Sequence, residues 1–338
     1  MTKKIFKEEG KMEGEVAVIE RIKREEGEIL IVTHENPDGD GIGSMIALYR
    51  FLIKEGKNVR MAMKDDLPYI YNFLPDSDKI EKLLPENTYN LIILVDAAGL
   101  YRTGVDIKGR EVIRIDHHVG GIKESDYDYV DPSAPSTTYM VGLILKRWDE
   151  KQIDKEIAEC LYTGLMTDTG SFRYNNVDER AFEMAEFLVE KGADPSYIST
   201  MVYERNRPNV IHLLHRVLST LKMDYEGHIA SLVVRRSFID EVGALEEETE
   251  GFVNFAKSIE DVDVAFIMIQ KPDLKTWRVS LRGKGKVNVQ NIARMFGGGG
   301  HKDAAGCRII GSEENVRKML VDAIKTEIQK SLKPVKVA

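Results

Sequence analysis

Short apolar runs punctuate the first half of the chain, and each leads into residues able to bind a metal. Ile29-Leu30-Ile31-Val32-Thr33 runs into His34, Asp38 and Asp40, and the run at 91–95 into Asp96. Val112-Ile113-Arg114-Ile115 runs into Asp116-His117-His118, and a helical stretch around 161–166 into Asp168. From residue 29 to about 190 these Ile- and Val-rich runs alternate with stretches of helical period, such as 44–55. That alternation predicts βαβ units and a parallel sheet buried on both faces. Ser44 and Ser136 are placed to cap helix N-termini, and Gly56 to end a helix. Residues 14–26 read as a charged amphipathic helix covering an edge.

The segments 179–191 and 208–222 read as helices, separated by the turn-rich Gly192-Ala193-Asp194-Pro195-Ser196. After Tyr225-Glu226-Gly227 the texture changes, with strands expected at 228–235, 262–270 and 276–282 and a turn at Pro272-Asp273. The fold class is therefore α/β: a doubly wound parallel-sheet domain over 1–191, a linker with a helix over 192–224, and a second, smaller α/β domain over 225–338.

Charge changes the picture of the ligand. The 338 residues carry 48 basic and 56 acidic side chains, a net −8. Bulk charge of this sign argues against binding long duplex nucleic acid, so an anionic ligand needs cations or a local basic patch. Two distant cysteines, Cys160 and Cys307, argue against a disulfide framework and fit a reducing, cytoplasmic compartment. The charged N-terminus (Lys3, Lys4, Lys7, Glu8, Glu9) has no apolar core of a signal peptide, and no apolar run approaches the ~20 residues that span a bilayer.

Gly39, Gly41 and Gly43 invite a dinucleotide or phosphate-loop reading, but the spacing is G-x-G-x-G and no Lys-Ser/Thr follows. Asp38 and Asp40 in that loop would repel a phosphate unless cations intervened. The glycines are then expected to let the loop turn tightly, so that both carboxylates face inward. Taken singly, each acidic cluster reads as ordinary strand-end polarity. Four together point to one crevice outside the carboxyl ends of the strands.

His34, Asp38, Asp40, Asp96, His117 and Asp168 offer oxygen and imidazole donors and no thiolate. That set suits Mn²⁺ or Mg²⁺, and less specifically Co²⁺, Fe²⁺ or Zn²⁺. Six ligands exceed one tetrahedral site and match two ions ~3.5–4 Å apart sharing a carboxylate. Adjacent strand residues point to opposite faces, so two neighbouring histidines such as His117 and His118 rarely serve one metal in the same way. One can ligate while the other reaches substrate, with Asp116 orienting an imidazole.

The second signal is Gly297-Gly298-Gly299-Gly300-His301-Lys302-Asp303-Ala304-Ala305-Gly306. Such a run is expected to expose a row of backbone N–H groups to an anion, with His301 as a further donor. Arg282, ending an apolar strand, offers a planar fork for phosphate.

With these motifs in place the chain resembles the DHH phosphoesterase superfamily. His34-x-x-x-Asp38-x-Asp40, Asp96, Asp116-His117-His118 and Asp168-Thr169-Gly170 match its four motifs, and the glycine run resembles the signature of the associated DHHA1 domain. The layout is similar to the oligoribonuclease and pAp phosphatase group, which overlaps with phosphodiesterases acting on cyclic di-AMP and pApA. The resemblance implies a DHH domain over 1–191, a DHHA1 domain over 225–338, and two divalent ions, foremost Mn²⁺. It makes His34, Asp38 and Asp96 ligands of one ion, and Asp40, Asp96, His117 and Asp168 ligands of the other, with Asp96 bridging. It places His118 and Asp116 in catalysis, and Arg282, Gly298, Gly299, Gly300 and His301 on the substrate. It implies hydrolysis of short adenine-containing nucleotides to 5′-mononucleotides such as AMP, by a homodimer that engages no membrane. An inorganic pyrophosphatase, a single-strand exonuclease and a non-catalytic nucleotide sensor are the competing readings.

Overall fold

A computed structural model of the protein describes residues 14–84 and 88–331. The charged N-terminal segment at residues 3–9 lies outside the described residues. Two compact units divide between Arg205 and Asn206.

The first unit is a six-stranded, all-parallel sheet of β1 (Ile29–Val32), β2 (Val59–Met63), β3 (Glu81–Lys82), β4 (Thr88–Val95), β5 (Lys108–Asp116) and β6 (Tyr129–Val130). The order β3-β2-β1-β4-β5-β6 reverses between β1 and β4. Such a reversal opens a crevice at the carboxyl ends of the strands. Ile29, Ile31, Ile93, Val95, Ile113 and Ile115 share one core with α2 (Gly39–Lys54), α3 (Thr137–Asp149) and α4 (Lys155–Asp168). Leu30, Val32, Ile92, Leu94 and Val112 bury the other face under Leu83, Ala97 and Ile107. This two-sided burial explains why the strands read as unbroken apolar runs. Helix α1 (Gly14–Lys23) lies against α3 and the edge strand β6, as the amphipathic pattern predicts.

Three local expectations change. Ser44 is no N-cap: α2 begins five residues earlier, capped by Asp38, whose Oδ1 accepts the N–H groups of Asp40 (3.0 Å) and Gly41 (3.1 Å). Nor do the glycines serve a loop, because they lie inside this helix. A Cβ on Gly43 would stand 2.4 Å from the Cys160 carbonyl oxygen, and one on Gly164 would stand 2.2 Å from Thr138. These glycines let α2, α3 and α4 approach closely. The turn-rich segment at 192–196 also begins a helix that the sequence reading missed, α6 (Pro195–Tyr203). Asp194 caps it through the N–H groups of Ser196 and Tyr197, and Pro195 opens it. Ser136 does cap α3, and Gly56 follows α2 at φ +75°. Helix α5 (Glu179–Glu190) completes the unit.

The second unit has α7 (Pro208–Leu218), β7 (Lys222–Asp224), β8 (Ile229–Val234), α8 (Arg236–Val242), α9 (Val253–Lys257), β9 (Val264–Gln270), β10 (Thr276–Gly283), α10 (Val289–Met295), β11 (Gly299–Gly300), β12 (Ala304–Ile310) and α11 (Glu313–Ser331). The end of the segment read as helix, 208–222, instead starts edge strand β7. The sheet order is β11-β12-β10-β9-β8-β7, with only the β8–β9 pair parallel. Helices α7, α8 and α9 cover one face, and α10 and α11 the other. No helix among the described residues is long and apolar enough to cross a membrane.

Candidate metal centre

The candidate ligands of the first unit gather at the carboxyl ends of β1, β4 and β5. His34 follows β1; its Nε2 lies 3.4 Å from Asp96 Oδ2 and 4.0 Å from Asp38 Oδ1. Its other ring nitrogen is 2.9 Å from the Glu35 carbonyl oxygen. One ligand atom each from His34, Asp38 and Asp96 lies within 4.8 Å of the other two. The same holds for Asp40, His117 and Asp168. His117 Nε2 stands 3.9 Å from Asp40 Oδ2, 3.8 Å from Asp96 Oδ1 and 3.6 Å from Asp168 Oδ2. Its Nδ1 is 3.2 Å from the Ala134 carbonyl oxygen, which turns Nε2 toward the carboxylates.

Asp96 therefore presents Oδ2 to one group and Oδ1 to the other. It directly follows β4 with φ +56°, a left-handed conformation that Asp tolerates better than most residues. Its exposure is 2%, that of Asp40 is 1%, and that of His117 is 5%.

Crowding and burial set the protonation. Burial, then the charges of Asp40 and Asp38, drive the Asp96 carboxyl well above the usual range. Burial and the same two neighbours push Asp168 up to about 7 against the attraction of His117. Burial opposes charge on His117, but Asp168, Asp40 and Asp96 raise the ring to about 10. Without a cation, this cluster must hold protons.

Asp116 and His118 form a pair that adjoins the cluster, with His118 Nδ1 3.6 Å from Asp96 Oδ1. The fully buried Asp116 accepts the His118 backbone N–H at 3.1 Å and lies 2.7 Å from its Nδ1, both through Oδ1. Burial works against ionisation of Asp116, but these donors hold its carboxyl below the ordinary range. Asp116 Oδ2 has no hydrogen-bond partner among the described residues. The His117 and His118 rings meet edge to face at 74° with centroids 5.1 Å apart, and both stand near Asp96 Oδ1, so the opposite-face expectation fails: β5 ends at Asp116 and strand alternation no longer applies to the two histidines.

Three residues beside the cluster carried no clear signal in the sequence. Thr137 donates its N–H to Asp40 Oδ2 (2.6 Å) and its hydroxyl to Asp96 Oδ1 (3.0 Å). Thr138 donates both N–H and hydroxyl to Asp40 Oδ1, each at 2.7 Å. Asn176 donates to Asp168 Oδ2 at 3.0 Å. The Ser136 cap marks where α3 starts, but only the fold aims that terminus at Asp40.

In the second unit the glycine run is more structured than expected. Gly297, at φ +73°, donates its N–H to Arg294 O (3.1 Å), and Gly298 donates to Ala293 O (2.9 Å). Together they form the Schellman closure of α10. The exposed row of N–H groups is therefore shorter than the sequence suggested: those of Gly297 and Gly298 are spent on their own helix. Gly299 and Gly300 form β11 and pair with Gly306 and Ala305, and the His301 N–H donates to Ala304 O at 2.6 Å. Arg282, near the end of β10, donates to Leu281 O (3.1 Å) and to the exposed Glu250 (3.4 Å).

Comparison with known proteins agrees with this layout. Residues 28–165 match the DHH family, N-terminal domain, and residues 229–330 match the DHHA1 domain. The bifunctional oligoribonuclease and PAP phosphatase NrnA of Thermus thermophilus is 34% identical over 324 residues, spanning 93% of this chain and 94% of that protein. The protein of the same name from Bacillus subtilis is 26% identical over 294 residues, spanning 85% and 90%. The crystal structure of an exopolyphosphatase-related protein from Bacteroides fragilis superposes with a TM-score of 0.84 at 28% identity, covering 94% of this chain and 98% of that one. RecJ from Thermus thermophilus, solved in complex with Mn²⁺, shares the fold at a TM-score of 0.53 and 16% identity, covering 94% of this chain and 55% of that one.

Proposed function

This chain belongs to the DHH family of phosphoesterases and carries a DHHA1 domain, and from this we propose that it hydrolyses short adenine-containing nucleotides with the help of two divalent ions. It is a phosphoester hydrolase. The proposed substrates are cyclic di-AMP, pApA, very short RNA and pAp, and the proposed products are 5′-mononucleotides such as AMP.

The observation that carries the reading is the pair of ligand groups sharing Asp96. Their donors are carboxylate oxygens and imidazole nitrogens, which fit Mn²⁺, Mg²⁺ or Co²⁺. The buried carboxylates, which otherwise retain protons, fit a site that divalent charge would neutralise. His34, Asp38 and Asp96 would hold one ion, and Asp40, Asp96, His117 and Asp168 the other. Ions held there, Mn²⁺ first among them, supply Lewis acidity toward phosphate and a lowered pKa for water.

The chain's own groups do the rest. Asp116 grips His118 through Nδ1, which directs Nε2 of that ring away from Asp116, and His118 is assigned to hold or pass a proton near the scissile phosphate. Arg282 and His301 are assigned to phosphate oxygens. Gly299 and Gly300 allow close approach of the substrate, whereas Gly298 contributes by shaping the hairpin. Both cysteines are unpaired and buried, consistent with the proposed cytoplasmic setting. The proposed assembly is a homodimer, to be checked by light scattering.

The test is chromatographic product analysis. Metal-stripped protein is incubated, with and without Mn²⁺, with cyclic di-AMP, pApA, a five-nucleotide RNA, pAp and pyrophosphate in turn. Mn²⁺-dependent release of AMP is expected, and the relative rates name the substrate. Phosphate from pyrophosphate alone would overturn the reading, and no product from any substrate would favour a nucleotide sensor.

A further inference from the structure

Asp40 is one of the most heavily hydrogen-bonded carboxylates in the first unit, and the donors are unequally shared between its oxygens. Oδ1 receives the N–H and the hydroxyl of Thr138, both at 2.7 Å. A carboxylate oxygen has about two acceptor sites, so Oδ1 is filled. Among the described residues Oδ2 receives only the Thr137 N–H, at 2.6 Å, and it is the oxygen that faces His117 Nε2. The Thr138 hydroxyl is itself oriented. It lies 2.8 Å from Ser136 Oγ, which accepts the Tyr139 N–H at 3.0 Å. Thr138 is wholly buried, and the absent side chain of Gly164 makes room for it. Thr137 acts likewise on Asp96, donating its hydroxyl to Oδ1 at 3.0 Å and leaving Oδ2 toward His34.

We propose that Thr138 and Thr137, at the start of α3, are positioning residues that select the ion: Thr138 restricts Asp40 to a single ligating oxygen, Oδ2, and Thr137 fixes the carboxylate plane of Asp96. This rests on the two-ion reading of the site. A one-oxygen carboxylate suits a six-coordinate ion such as Mn²⁺ or Mg²⁺. Ca²⁺ takes six to eight oxygens and favours carboxylates that offer both. Removing the Thr138 hydroxyl vacates an acceptor site on Oδ1 and lets Asp40 offer both oxygens.

The experiment is calorimetric titration of metal-stripped, full-length protein with Mn²⁺ and, separately, Ca²⁺. It compares wild type, Thr138→Val, Thr138→Ser and Thr137→Val, with circular dichroism as the control for folding. Thr138→Val preserves shape and removes the donor. It is expected to weaken Mn²⁺ at one site by about tenfold or more, the scale of losses in outer-shell partners, and to narrow the Mn²⁺ over Ca²⁺ preference. Thr138→Ser is expected to restore both. Should Thr138→Val fail to fold, Thr137→Val carries the test, with weakened Mn²⁺ binding expected at both sites. Wild-type Mn²⁺ and Ca²⁺ constants in a folded Thr138→Val or Thr137→Val protein would overturn the proposal. So would a Thr138→Ser protein as impaired as Thr138→Val, which would make the effect one of packing. If the wild type itself binds no Mn²⁺, the two-ion reading falls and this proposal with it.

Discussion

The carboxylate cluster of the first unit and the glycine hairpin of the second are built on opposite principles. In the cluster, Asp40, Asp96 and His117 are almost sealed from solvent, and each is held by backbone or hydroxyl groups from elements distant in sequence. In the hairpin, Gly299 and Gly300 are exposed and pair with Gly306 and Ala305 only a few residues along the chain. The cluster concentrates like charge where it is costly, so it gains from a cation. The hairpin concentrates accessible backbone, so it costs little and yields reach toward a ligand. A change in the first region should therefore disturb folding, metal and activity together, and a change in the second should disturb activity alone.

The largest effect expected is complete loss of activity in Asp96→Ala at any Mn²⁺ concentration, since both groups lose a ligand. Substantial Mn²⁺-dependent hydrolysis by that variant would erase the contrast. Next comes Gly43→Ala, whose new Cβ would stand 2.4 Å from a backbone oxygen of α4. A destabilisation of ~3 kcal/mol is expected in urea unfolding. Gly299→Ala is its counterpart: nothing lies within 4 Å of a Cβ there, so stability should change by less than about 0.5 kcal/mol.

Metal removal tests the cluster directly. In the metal-free protein the Asp168 carboxyl titrates at about 7 and His117 at about 10, both raised above their ordinary values. A raised carboxyl means the folded state holds a proton that the unfolded chain has already released. Stability from Asp168 therefore falls as pH rises from the ordinary carboxylate range through about 7. Stability from His117 is complete below its ordinary value and lost as pH climbs to about 10. Mn²⁺ competes with those protons, so its stabilisation, about 2.7 kcal/mol at a hundredfold excess over Kd, should grow from pH 6 to pH 9. Thermal melts with and without Mn²⁺ at the two pH values check this, and a pH-independent gap would refute it. The smallest effect on catalysis is expected from Arg282→Ala, about a tenfold fall in kcat/KM with an unchanged melting temperature. A wild-type kcat/KM would remove Arg282 from the site.

Much of this was legible before any coordinates. Strands buried on both faces leave an unbroken apolar run, so β1, β4 and β5 and the acidic residues just beyond them stand out by pattern alone. Three of the six strands of the second unit, β8, β9 and β10, also showed, because turn residues such as Pro272-Asp273 bound them, whereas β7, β11 and β12 and the mixed pairing did not. Helix α6 was hidden because Pro195 and Asp194, the residues that cap and open a helix, are also turn formers. The role of Gly43 was hidden because a glycine that permits close helix contact is identical in sequence to one that permits a turn.

The sequence by itself determined which groups are the candidates for this protein's chemistry: four Asp carboxylates, two imidazoles, the Asp116–His118 pair and a glycine-histidine segment. Residue type and position after a strand are local properties, and local patterning carries them. Only the tertiary structure decided which oxygen of each carboxylate faces the cluster. That depends on Thr137, Thr138 and Asn176, whose hydrogen bonds to Asp40, Asp96 and Asp168 cross 41 to 98 residues of chain for the threonines and 8 for Asn176. The two threonines, that far away, carry no spacing signal, since their direction is set by how α3 packs against α2 and α4 and by nothing in their neighbours.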